Sequence, residues 1–203
     1  NGEGYQQYDF LIDAIIKELF LIEMATTNSQ SIMYGYLNGN SAAVQTGRTD
    51  GVKTASGSEI SNTDGKHACK YRGIENPWGN VWKWCDGITF SDEKVYICLD
   101  PTHYVSEDTN PPYIYMGDRP LDGNWIKGID YFDKFPLLGY ISSVSGGSDS
   151  TYYCDYSWSE GTVLVVGGDW YRGLDGGLWA WGGDYDAGDS YSYVGGRLCY
   201  KPL

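Results

Sequence analysis

One stretch near the start of the chain carries a helical period. Between residues 9 and 27, Leu11, Ile12, Ile15, Ile16, Leu19, Phe20 and Ile22 fill most of a helical circumference. Asp9, Asp13 and Lys17 recur at i, i+4 and i+8 as a narrow polar stripe. A helix this apolar must be mostly buried, so the pattern predicts a core helix over 9–27, ended by Asn28-Ser29-Gln30. Asp13, Lys17, Glu18 and Glu23 interrupt the apolar stretch from Phe10 to Ala25. That is too much charge for a membrane span or a signal peptide.

No other segment shows this period. Residues 38–66 are rich in Gly, Ser, Thr, Asn and Asp and read as loop with short strands. An ordered block follows from Cys69 to Asp86, with turn signals at Asn76-Pro77 and Gly79-Asn80 and with Val81, Trp82 and Trp84 as buried anchors. Short β-branched runs at Val95–Leu99 and Val163–Val166 predict strands. Pro111-Pro112 and Gly146–Ser150 read as surface turns. No repeat of 20–50 residues emerges. The expectation is one α+β domain over 1–203: a buried helix, then short strands joined by long irregular loops, which in compact domains usually carry function.

Composition narrows the function classes. A chain of 203 residues with 41% hydrophobic and 20% charged residues buries a real core and is not disordered. Its formal net charge of −13 excludes a general nucleic-acid binder and opposes docking on anionic membrane. The first residue is Asn1 rather than Met, and the chain is expected to be a processed product or the C-terminal part of a longer protein. Cys69, Cys85, Cys98, Cys154 and Cys199 are widely spaced and odd in number, with no CxxC pair or Cys/His cluster. No zinc site is expected, and at most two disulfides could form.

Catalytic chemistry finds little footing. His67 and His103 are the only histidines, no GxSxG occurs, and both read as ordinary surface or hydrogen-bonded residues. Cys85, between Trp84 and Asp86, reads as a core thiol, since nothing places a partner that would lower its pKa. The C-terminal glycines lack the Lys-Ser/Thr of a phosphate loop. Asp184-x-Asp186-x-x-Asp189 could donate oxygens to calcium but lacks the length and terminal glutamate of an EF-hand, and reads as solvated loop carboxylates. No catalytic residue, metal or cofactor is expected.

Aromatic residues are the remaining signal. Trp82, Trp84, Trp170, Trp179 and Trp181 read as core anchors or as a ligand platform; the area a tryptophan buries favours the core for most of them. Tyr171, Tyr185, Tyr191 and Tyr193 sit among Asp, Ser and Gly with no periodicity to bury them. Antibody paratopes use this mixture, Tyr for rigid amphipathic contact and Ser and Gly for adaptability. An ordinary irregular loop has it too, and composition leaves both readings open.

Three blocks of sequence resemble a known family. Arg72-Gly73 followed by Asn76-Pro77-Trp78-Gly79-Asn80-Val81-Trp82-Lys83-Trp84 resembles the RGxxNPxGNVWEW pattern of the formylglycine-generating-enzyme branch of the C-type lectin fold. Val165-Val166-Gly167-Gly168-Asp169-Trp170, then Val194-Gly195-Gly196-Arg197-Leu198, resembles that branch's paired RGGSW and GFR elements. LIEMATTNSQ, Leu21 to Gln30, is similar to the LIEFATxNSQ segment of variable proteins from phages and gut bacteria. Together they resemble the variable proteins diversified by diversity-generating retroelements. In that family adenine-specific mutagenesis rewrites AAY codons in a C-terminal stretch, and the scaffold displays the varied residues as a binding face.

The genetic code offers a check. Randomising the first two bases of a codon ending in a pyrimidine never yields Trp, Met, Lys, Glu or Gln. From Asp169 to Tyr193 the only members of that set are Trp170, Trp179 and Trp181, and no Asn follows Asn124.

The resemblance implies a loop-rich C-type lectin fold of short antiparallel strands with a buried N-terminal helix, and a variable segment over about 167–197. It marks Asp169, Tyr171, Arg172, Asp175, Asp184, Tyr185, Asp186, Asp189, Tyr191 and Tyr193 as contact residues. Gly182, Gly183, Ser190 and Ser192 are secondary candidates. Trp82, Trp84, Trp170, Trp179, Trp181, Gly195, Gly196 and Arg197 are implied as scaffold. The implied activity is non-enzymatic binding of a protein or glycan receptor on a bacterial cell surface, by a phage tail or a bacterial surface protein, with a homotrimer as one assembly seen among tail proteins. Lys83 stands where the enzyme branch carries Glu, and no cysteines match that branch's catalytic pair. No EPN or QPD motif supports a calcium-dependent sugar site. The alternatives are a formylglycine-generating-type oxidase and a bacterial lectin or adhesin of fixed specificity.

Overall fold

The computed structural model describes residues 4–39, 41–59, 64–105, 108–120, 123–158 and 163–200. Its one long helix, Phe10–Met24, begins where Asp9 takes an extended conformation and accepts a hydrogen bond from the Ile12 amide at 2.9 Å. It stops three residues short of the expected end. Ala25 turns into the left-handed region (φ 52°) and returns its N–H to the Leu21 carbonyl. Asn28 belongs to the next element: its side chain caps the single-turn helix Ser29–Ile32.

The helix buries its polar stripe beside part of its apolar pattern, Phe10, Ile16 and Phe20. The polar stripe points inward, with Asp13 and Lys17 at 3% and 4% exposure, while Ile22 is 76% exposed. The reason is pairing. Lys17 forms a buried ion pair with Asp13, Tyr8 donates its hydroxyl to Asp13 at 3.0 Å, and the Lys17 ammonium lies 5.1 Å from the ring centre of Trp181. On the same inner side Phe10 meets Phe135 and Trp181, and Phe20 meets Tyr71 and Trp78, at centroid distances of 5.3–5.9 Å.

The fold is mixed α+β, with short strands in several sheets around that helix. A six-stranded sheet runs in the order Val194–Gly195, Trp82–Cys85, Val163–Val166, Trp181–Tyr185, Asp155–Trp158, Asn124–Trp125. Val163–Val166 lies antiparallel to both its neighbours, pairing Val165 with Trp84 on one side and with Gly182 on the other. Val194–Gly195 runs parallel to Trp82–Cys85, placing Val194 beside Trp82. A meander of Ile88–Ser91, Lys94–Ile97 and Ile114–Asp118, a small sheet of Gly57–Ser58, Cys69–Tyr71 and Ile74–Glu75, and a hairpin of Gly128–Phe132 with Phe135–Ser143 complete the body. Tyr5–Gln7 pairs antiparallel with Leu198–Tyr200, so strands near the two ends of the chain lie side by side.

Both strands expected from apolar runs form, at Lys94–Ile97 and Val163–Val166. Val81 and Trp84 are only half-buried, whereas Trp82 is a core residue. The expected loop over 38–66 falls partly on residues 40 and 60–63, outside the described residues.

An aromatic face on a buried tryptophan frame

Gly167 and Gly168 open the C-terminal segment with φ of 94° and 79°. A Cβ on Gly168 would lie 2.8 Å from the Gly176 Cα, so two backbone strands cross there at a distance only glycine allows. Gly167 donates to Ala180 and its carbonyl accepts from Gly79, which ties the segment to the Asn76–Val81 loop. The chain then turns Asp169 and Trp170 inward and Tyr171 outward.

The tryptophans divide as frame. Trp179, Trp181, Trp82 and Trp170 are 1%, 4%, 3% and 8% exposed. Trp179 donates its indole N–H to the Thr27 carbonyl at 2.8 Å and meets the Tyr153 ring edge-on. Arg197 holds the carbonyls of Glu75 and Asn76, and Gly195 sits in the edge strand beside Lys83. Gly182 lies under the aromatic layer: a Cβ there would stand 3.0 Å from Val165 and 3.6–3.7 Å from the Tyr185 and Trp82 rings.

Above this frame the four tyrosines come together. Tyr191 and Tyr193 stack with centroids 5.0 Å apart and planes 8° from parallel. Tyr185 meets both, at 5.9 and 6.5 Å, and its other side meets Trp84 at 6.0 Å. Trp170 bridges Tyr193 and Tyr171, at 6.5 and 6.3 Å. The Arg172 guanidinium lies 5.3 Å from the ring centre of Trp82 and 5.8 Å from that of Tyr171. The backbone fixes the same grouping, since the Trp82 amide donates to the Tyr193 carbonyl at 2.9 Å. Tyr171 and Tyr191 are 56% and 44% exposed, while Tyr185 and Tyr193 are half-buried. Burial pushes the Tyr185 phenol up to about 12, and Tyr193 shifts the same way, so both are protonated donors at neutral pH.

The acids fall into two groups. Asp184 and Asp186 are exposed beside the tyrosines, Asp189 is half-buried and accepts from the Asp186 amide at 3.0 Å, and Asp175 closes a short helical turn. Asp169 departs from its expected role as a contact. It is fully buried, accepts from the Tyr171 amide at 3.0 Å, and stands 3.6 Å from the Arg172 Nε. Burial raises its carboxyl pKa, against the pull of the Tyr171 amide and the Arg172 charge. As it stands, Asp169 orients Arg172 and shapes the loop instead of meeting a ligand. Sequence reasoning gave no sign of this, because nothing in the glycine-rich context shows which acid turns inward.

The chain matches no protein-family model and no curated protein. Geometry alone therefore carries the site.

The other candidate chemistries are placed as follows. His67 and His103 each face a carboxylate three residues earlier, Asp64 at 3.2 Å and Asp100 at 2.8 Å. Among the described residues no group of three or more His, Cys, Asp and Glu is placed to hold a metal ion, and no helix is long and apolar enough to cross a membrane. All five cysteines are free thiols. Burial pushes Cys69 up to about 12 and also raises Cys85, Cys98 and Cys199. A rise of that size for Cys69 lowers its thiolate population about a thousandfold. In the native protein a chromogenic disulfide reagent at neutral pH is therefore expected to leave Cys69 and Cys85 unlabelled for as long as the fold persists, with full labelling on denaturation. Rapid native labelling of either would show that burial does not protect it.

Proposed function

We propose that this chain is a non-enzymatic ligand-binding domain of the C-type lectin type, whose segment over about 167–197 is diversified by a retroelement and recognises a host receptor from a phage tail. One observation carries the reading. The three residues that pyrimidine-ending randomised codons cannot encode, Trp170, Trp179 and Trp181, are buried frame, while Tyr171, Asp184, Asp186 and Tyr191 between and after them are exposed. Every residue that codon logic bars from variation is buried, although encodable residues such as Asp169, Leu178 and Ala180 are buried too. The loop-rich α+β architecture, the early buried helix and the short strands also suit that fold.

Recognition on such a face works by area and rigidity. Tyrosines bury large apolar surface against a partner at low entropic cost and donate hydroxyls at its rim. Because they already lean on one another and on Trp84 and Trp170, little further ordering is needed on contact. Arg172 and the surrounding aspartates add polar selectivity, and the acids favour a basic or hydroxyl-rich target.

Two tests are decisive. The genome should carry a reverse transcriptase beside this gene and an adenine-rich near-copy of the coding segment for Gly167–Arg197; absence of both would remove the diversification. For the face itself, Tyr171→Ala and Tyr191→Ala should each weaken binding to host cells by about 2 kcal/mol, roughly thirtyfold. Both should change folding stability by no more than about 0.5 kcal/mol, since these rings lie outside the core. Unaltered binding in both variants would move the site elsewhere.

A further inference from the structure

The Trp82–Cys85 strand serves two sides. Trp82 and Trp84 lie with the tyrosines, and Lys83 between them projects to the opposite face. There it lines a cavity of about 290 Å³ between the 46–50 turn, the Glu75–Val81 loop and Gly196-Arg197. Lys83 is 3% exposed. Its ammonium donates to the carbonyls of Gly79 and Val81, at 3.3 and 3.1 Å, and it has no ion-pair partner among the described residues. Arg197 lines the same cavity, with its Nε–H buried and unmatched.

The side-chain acceptors of Glu75, Asn76 and Asn80 in the cavity wall are already engaged, and Asp50 lines its 46–50 edge. The Glu75 carboxylate accepts from the amides of Gly47 and Thr49 and from the Thr49 hydroxyl, at 2.7–2.8 Å. The Asn80 side-chain oxygen accepts from the Val44 amide, and that of Asn76 from the Cys69 amide. What remains are an Arg197 Nε–H with no acceptor and a Lys83 ammonium held by two carbonyls but by no counter-charge, a costly arrangement for buried groups.

We propose that this cavity binds a small oxyanion, held by Lys83 and Arg197 as paired cationic donors. The site is independent of the aromatic face and of its proposed role.

The charges around Lys83 support a pH-linked affinity. Burial holds its amine down to about 7, and the nearby Arg197 charge pushes the same way, while Cys69 and Asp13 push upward. Glu75 and Asp50 are the carboxylates lining the cavity. An anion that requires the protonated amine therefore binds about tenfold more weakly near pH 8 than near pH 6.

Sulfate and acetate keep their charge across that range and serve as probes. Each is titrated into the full chain up to about 0.15 M against matched chloride, following the side-chain nitrogen resonance of Lys83 and the melting temperature. A saturable shift at Lys83, an upward move of its titration midpoint, and weaker binding at the higher pH are expected. Response to sulfate alone would define a tetrahedral ligand, and to acetate alone a carboxylate; either supports the site. Lys83→Met should abolish the saturable response. An equal response in that variant would reveal an adventitious ion only, and no saturable response in the parent would overturn the proposal. Should Lys83→Met fail to fold, the midpoint of Lys83 with and without the ions decides alone.

Discussion

Asp13→Ala is expected to cost about 3–5 kcal/mol of folding stability, because it leaves the Lys17 ammonium buried without its counter-charge. Tyr8 loses its acceptor at the same time, and helix propensity, which alanine improves, is too small an effect to compensate. A double variant, Asp13→Leu with Lys17→Met, removes both charges and fills similar volume, and should be more stable than Asp13→Ala alone. Urea unfolding of the parent and these two variants measures the difference. A cost under about 1 kcal/mol for the single variant would mean that water reaches the pair.

The second large effect concerns the frame. Trp179→Ala should destabilise by about 3–5 kcal/mol, the usual cost of emptying a large aromatic site in a core. Trp179 is 1% exposed, and its loss also orphans the Thr27 carbonyl and removes the partner of the Tyr153 ring. Under the proposed binding role, affinity would fall with the folded population, and stabilising the fold with an osmolyte should restore much of it. The exposed tyrosines predict the opposite signature, lost affinity on an unchanged fold. A Trp179→Ala protein that melts like its parent yet binds nothing would place Trp179 in the contact instead of the frame.

Legibility varied with the kind of signal. The helix was plain because seven large aliphatic and aromatic residues recur with one period, yet its orientation was not. Periodicity locates a polar stripe without saying whether Asp13 and Lys17 satisfy each other inside or water outside. Runs such as Val163–Val166 were legible because β-branched residues without charge must pair in a buried sheet. Ile114–Asp118 and the Gly128–Phe132 hairpin escaped notice, since Tyr115, Asp130 and Tyr131 break the apolar pattern and only strand pairing orders them. At the candidate site, the area a tryptophan buries pointed to the core for most tryptophans, as holds for Trp82, Trp170, Trp179 and Trp181. Composition left the tyrosines open between a surface and an ordinary loop, and Trp84 is half-buried against Tyr185. The burial of Asp169 and the meeting of Lys83 with Arg197 at one cavity are set by the folded chain, and no local pattern encodes them.

The pairing of Tyr5–Gln7 with Leu198–Tyr200, sealed by the Tyr5 and Tyr200 rings 4.9 Å apart, has an engineering meaning. Cuts at these two paired strands fall side by side, so the segment between them can be spliced into a surface loop of an unrelated carrier through two adjacent junctions. The carrier would need to open by little more than the spacing of neighbouring strands, about 5 Å. The tyrosine-lined face on such a cassette could then be varied without redesigning the joint.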